Sequence, residues 1–93
     1  MENGNISNFL NESDCESFDK IGDLNFNKYL AKYTTKTGKT RFKTKKEAYD
    51  AMILDSEAGG IVKSKNGFWT VRKGKILKIP HINHQPEIAC LKK

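Results

Sequence analysis

Residues 42–74 carry two local signals that restrict the fold more than anything else in the chain. The first is Thr44-Lys45-Lys46-Glu47, a capping box. The Thr44 hydroxyl is placed to accept from the Glu47 amide, and the Glu47 carboxylate to reach back to the Thr44 amide. Ala48, Tyr49, Ala51, Met52 and Ile53 follow as a broad apolar stripe at helical spacing, with Lys46, Asp50 and Glu57 opposite. That stripe reads as core. Gly59 is placed to end the helix in a left-handed conformation. The second signal is Asn66-Gly67, whose residues both tolerate positive φ and so mark a tight hairpin. A two-residue turn there sets Lys65 opposite Phe68, Ser64 opposite Trp69, Lys63 opposite Thr70, Val62 opposite Val71 and Ile61 opposite Arg72. Paired residues share a face. Val62, Ser64, Trp69 and Val71 are therefore predicted to pack on the helix. Ile61, Lys63, Lys65, Phe68, Thr70 and Arg72 are predicted to be displayed.

Before the helix the period is two. Tyr29, Ala31 and Tyr33 alternate with Lys28, Leu30, Lys32 and Thr34, which favours a strand. Lys36-Thr37-Gly38 supplies a turn, and residues 39–43 are predicted to return as a second strand with Lys39, Arg41 and Lys43 on one side. After the second hairpin, Gly74-Lys75 reads as a turn and residues 76–79 as a short strand ended by Pro80. The expectation is an α+β domain. It has an antiparallel sheet of four to five short strands, arranged as two β-hairpins, with one helix packed across it.

The 93 residues make one domain, and a body this small buries only roughly 60% of its unfolded surface. Its charge is unevenly placed. Residues 1–27 hold six acids and one base, while residues 28–93 hold sixteen Lys and Arg against five acids. Residues 1–25, acidic and sparse in hydrophobics, predict a mobile arm, with disorder expected over residues 1–16. An arm of that charge would serve as a lid over a basic face or as an inert tail. Residues 26–80 form the basic domain, and residues 81–93 a C-terminal tail of weak periodicity that Ile82, Ile88 and Leu91 would tether. A polycationic body attracts nucleic acid, anionic lipid or an acidic protein. The plain alternative is a Lys-rich surface kept soluble by its charge. No run approaches the ~20 apolar residues of a membrane span, and the start carries no signal-peptide pattern. With only Cys15 and Cys90, far apart, the cysteine usage points to an intracellular, reducing compartment rather than a disulfide scaffold.

No catalytic constellation is visible, and no enzyme activity is expected. Gly38-Lys39-Thr40 resembles the end of a phosphate-binding loop, but Tyr33 stands where its first glycine belongs, and a strand is expected where a helix should follow. His81 and His84, with Cys15 or Cys90, lack a second ligand pair at fixed spacing, so neither metal nor cofactor is expected. The basic and aromatic residues are the better candidates. Lys39, Arg41 and Lys43 on the first hairpin, with Lys63, Lys65 and Arg72 on the second, are spaced to meet phosphates, and Phe68 to stack on a base. Arg72 is best suited to a bidentate contact. Phe68, Tyr29 and Tyr33 would equally suit a protein partner.

Two resemblances fall on these residues. Residues 29–52, with Thr37-Gly38-Lys39 and Phe42-Lys43-Thr44-Lys45-Lys46-Glu47-Ala48, resemble the arm-type DNA-binding domain of tyrosine recombinases. That implies a three-stranded sheet on a helix, reading DNA with the sheet. The family ends with its helix, whereas here a hairpin follows. Residues 42–75 are similar to small PAN/apple-like modules of large DNA viruses, through Glu47-Ala48, Gly59-Gly60-Ile61 and Phe68-Trp69-Thr70-Val71-Arg72-Lys73-Gly74. Ala58 stands where a cysteine is common in such modules, so a disulfide there is absent. This resemblance implies a binding or virion-associated role. The sequence thus leads to a small module binding nucleic acid or another polyanion, the alternative being a structural or protein-interaction module of a virus particle.

Overall fold

A computed structural model describes residue 15 and residues 18–93, apart from the Asp23 side chain. The disorder expected of residues 1–16 and the acidic lid lie outside the described residues, Cys15 excepted. The chain runs β1 (Ile21–Phe26), β2 (Tyr29–Tyr33), α1 (Lys45–Ile53), β3 (Ala58–Lys63), β4 (Trp69–Lys78), a 3₁₀ turn (Ile82–His84) and β5 (Ile88–Lys92). The five strands make one antiparallel sheet in the order β1-β5-β3-β4-β2, and α1 packs on β3 and β4. The α+β architecture read from the sequence is the one observed.

The helix begins as its sequence dictates. Thr44 is extended, its side chain accepts from the Glu47 amide at 3.2 Å, and Glu47 Oε1 accepts from the Thr44 amide at 3.2 Å. It stops well before Gly59, at Leu54. Asp55 explains the stop: its Oδ1 accepts from the Glu57 amide at 3.1 Å, a side-chain turn that competes with helix. Gly59 lies inside β3 without a left-handed conformation. Its glycine identity has another cause, because a Cβ there would collide with the Gly74 carbonyl group of the neighbouring strand. Ala48 and Met52 enter a core with Ile61, Trp69, Val71, Ile88 and Cys90. Each large apolar side chain buried there contributes about 1.5–3 kcal/mol.

The second hairpin forms with a shifted register. The Gly67 amide donates to Ser64 O (2.9 Å), the Ser64 amide to Phe68 O (3.0 Å), and Gly67 takes φ +91°. This is a three-residue loop, a turn followed by one left-handed residue, rather than a two-residue turn. Ile61 therefore faces Val71, Val62 faces Thr70, Lys63 faces Trp69 and Gly60 faces Arg72. A slip of one residue exchanges the two faces of β3. Trp69 and Val71 keep the predicted place beneath the helix. Ile61 and Lys63 join them instead of Val62 and Ser64.

Residues 39–43 do not form a strand. Only Phe42 makes a bridge, with Trp69, and β2 pairs with β4. Nor does β4 break at Gly74, which takes φ +88° within a continuous ten-residue strand. Residues 81–93, with no clear periodicity, supply β5, which lies inside the sheet with Ile88, Ala89 and Cys90 fully buried. The last residues assigned to the acidic arm belong to β1.

The edge strands β1 and β2 are joined by Asn27 and Lys28 alone. A flat five-stranded sheet separates its edges by about 19 Å. Phe26 and Tyr29 are three Cα steps apart, at most about 11 Å. The sheet must therefore curl, and Asn27 accommodates the link with φ +57° while its amide donates to Glu87 O at 2.5 Å. Curling encloses the face away from the helix. Leu30, Val62 and Ala89 are buried there, with Tyr29, Leu77 and Leu91 packed against them.

On the helix side of the sheet the two cysteines meet. Cys15 and Cys90 are joined by a disulfide, with Cα atoms 5.4 Å apart. This corrects the expectation of reduced thiols: the 75-residue separation conceals a contact that the inner position of β5 creates.

Candidate functional site

The structure scatters the seven predicted contact residues. Lys63 is 3% exposed, on the helix side, with its ammonium 5.9 Å from the centre of the Trp69 ring. Arg72 is 6% exposed, on the opposite, enclosed face. Its Nε donates to Thr70 Oγ1 at 2.8 Å, its Nη1 to Leu30 O at 2.6 Å, and its guanidinium lies 4.3 Å from the Tyr33 ring centre. The predicted display of Lys63 and Arg72 on one open face is therefore corrected twice. The register shift moves Lys63, and the curl covers Arg72.

The other five stay accessible. Lys39, Arg41, Lys43 and Lys65 are exposed and Phe68 is half-buried. The bridge of Phe42 to Trp69, with amide–carbonyl bonds of 2.7 and 2.8 Å, docks this segment beside β4. Phe42 packs against the core, while Arg41 and Lys43 flank it outward. Arg41 lies 5.6 Å from the Phe68 ring centre, a cation–π contact. Lys65 turns instead toward the 3₁₀ turn, donating to Asn83 O at 2.6 Å.

The fold builds a second basic surface that the sequence does not announce. Ala31, Lys32, Glu57, Lys73, Gly74, Lys75, Ile76 and Lys78 line a groove of about 530 Å³ along β2 and β4. Pairing of Lys32 with Lys73 and of Tyr29 with Lys78 sets its length. Lys73 meets Glu57 at 3.7 Å, and Lys75 donates to Lys92 O. Lys32 and Lys78 are exposed and have no partner among the described residues. The Glu57 carboxyl is held below its ordinary value chiefly by the Thr35 amide, which donates to it at 2.7 Å. Lys73, Lys75 and Lys78 are plain in the sequence. Reading Gly74-Lys75 as a turn cuts the run in two and hides it.

The mouth of the curled sheet holds a third feature. Tyr29, Ala31, Tyr33, Arg72, Pro80, His81, His84 and Glu87 line a cleft of about 310 Å³. Glu87 is 8% exposed, and burial raises its pKa, against the opposing charges of Arg72 and His84. Burial pushes the Arg72 guanidinium down, against Tyr33, Glu87 and Tyr29, yet an arginine stays charged at any ordinary pH. His81 is committed at Nδ1, which accepts from the Asn83 amide at 3.1 Å. Both cysteines are held in the disulfide and cannot join these histidines. Among the described residues no group of three His, Cys, Asp or Glu is placed to hold a metal, and no helix is long and apolar enough to cross a membrane.

No family model, curated protein or solved structure matches the chain.

Proposed function

We propose that this protein is a non-enzymatic binding module for nucleic acid or another polyanion, and that the β2–β4 groove is its principal contact. The observation that carries the reading is the groove itself: four lysines on two paired strands, two of them unpartnered among the described residues. Paired strands hold cations at fixed spacing, which loops do not. A polyanion gains by releasing its counterions to such a surface. Arg41, Lys43 and Phe68 form an auxiliary patch on which a base or a second phosphate can rest. The DNA-binding role implied by the resemblance to arm-type domains supports the same reading.

The test is a salt titration of single-stranded oligonucleotide binding. Affinity should fall steeply as salt rises. Lys32→Ala with Lys78→Ala should lower the log–log slope by about 1.4, at roughly 0.7 for each phosphate no longer neutralised. A slope that the double variant leaves unchanged overturns the groove as the contact.

A second reading rests on Ile76, Ile79 and Ile82, which are 78%, 69% and 75% exposed within one short segment. Such residues suit a protein-interaction module, virion-associated as the PAN/apple-like resemblance implies. If Ile76→Ser with Ile79→Ser abolishes a self- or partner association while nucleic-acid affinity is absent, this reading replaces the first.

A further inference from the structure

We infer that the cleft at the mouth of the curled sheet is a guanine-base site. The inference rests on the polyanion reading for the neighbouring phosphates only. The cleft's size, about 310 Å³, lies at the lower end for small-molecule sites, room for one nucleobase. Its chemistry is unusual for a mere surface dent. Glu87 is more than nine-tenths buried, and no described residue donates a hydrogen bond to its carboxylate. Arg72, equally buried, lines the same cleft without forming a salt bridge to Glu87, its orientation fixed by Thr70 and Leu30. The Glu87 carboxylate oxygens are not among the fully buried unpartnered atoms, so they open onto the cleft, where donors of a ligand can reach them.

A ligand that satisfies both side chains presents two adjacent donors to the carboxylate and an acceptor beside them for the guanidinium. Guanine does this: N1–H and the 2-amino group face a carboxylate side by side, and O6 adjoins them. Adenine and cytosine offer one amino group next to a ring acceptor that the carboxylate repels. Uracil offers a single imide N–H between two carbonyls. Tyr29, half-buried on the cleft wall, gives the base a stacking surface. Lys78 is paired with Tyr29 in the sheet, and Ala31 lines both cleft and groove, so a phosphate attached to the bound base meets the lysines of the groove.

The experiment titrates GMP, AMP, CMP, UMP and IMP into the full chain by calorimetry, with an oligo(dT) salt titration alongside. GMP should bind at least about tenfold tighter than AMP, CMP or UMP, and IMP, which lacks the 2-amino donor, about tenfold weaker than GMP. Glu87→Gln, whose amide offers one acceptor where two are needed, should remove the preference and leave AMP unchanged. Equal affinities, IMP matching GMP, or a preference surviving Glu87→Gln would overturn the guanine site. Steep salt dependence of oligo(dT) binding would then still leave the polyanion reading standing. A guanine preference with salt-insensitive oligo(dT) binding would sink the polyanion reading alone.

Discussion

Burial of Glu87 has a consequence for stability that is separate from any ligand. Its folded pKa is raised above the ordinary 4.5, so the folded state holds the proton more tightly than the unfolded chain. Below the ordinary value both states are protonated and the residue is neutral in its effect. As pH rises through and past the folded value, the buried charge destabilises the fold. Glu87→Gln should therefore be more stable than the parent at neutral pH, and the two should converge in strongly acid solution; urea midpoints at both pH values check this. A second residue-scale prediction concerns Gly59. Gly59→Ala drives a methyl into the Gly74 backbone, which cannot give way as a side chain would. A loss of about 1–3 kcal/mol or more is expected from chemical denaturation. Neither position is legible in the sequence. Gly59 reads as a helix stop because the rule for helix ends knows only the local chain, whereas its real neighbour is Gly74 on another strand. Arg72 reads as displayed because alternation says which residues share a face, and not which face is later enclosed; Lys63 does so because the two-residue turn assigns it to the wrong face of β3.

At the scale of elements, what is legible is what is local. The capping box forms as read, and Thr44→Ala should cost about 1 kcal/mol, seen as a lowered urea midpoint with an unchanged m-value. The Asn66-Gly67 hairpin also forms, but a turn dipeptide fits loops of two or three residues, and the difference of one decides every face of β3. The core resolves the choice: the shorter loop would point Ile61 away from Trp69 and Val71, whereas the observed one packs the three together. β5 escapes notice for the opposite reason. Ile88-Ala89-Cys90-Leu91 is covered on both faces, so it shows no alternation, and it is too short to declare itself by length. A break misplaced at Gly74 hides the lysine groove, since a continuous β4 is what sets Lys73 and Lys78 against β2, with Lys75 in the register irregularity between them.

On the scale of the whole molecule, the two-residue link between the edge strands shapes everything else. It forces the curl, the curl encloses Arg72 and Glu87, and the enclosed end becomes a cleft beside a cationic groove. The disulfide ties residue 15 to the inner strand β5 on the helix side of the sheet. Closing 75 residues of chain should stabilise the fold by about 4 kcal/mol, so Cys15→Ala with Cys90→Ala should lower the free energy of unfolding by that order. Removing residues 1–25 to test the acidic arm as a lid would also remove most of β1 and this crosslink, so weakened binding in that truncation would report on the fold. The groove itself is best tested by mapping oligonucleotide binding residue by residue, following backbone amide shifts during titration at low salt. The largest shifts should fall on Ala31, Lys32 and residues 73–78, with smaller ones at Arg41 and Phe68. Shifts absent from β2 and β4, or confined to the 39–43 segment, would contradict the groove as the binding surface.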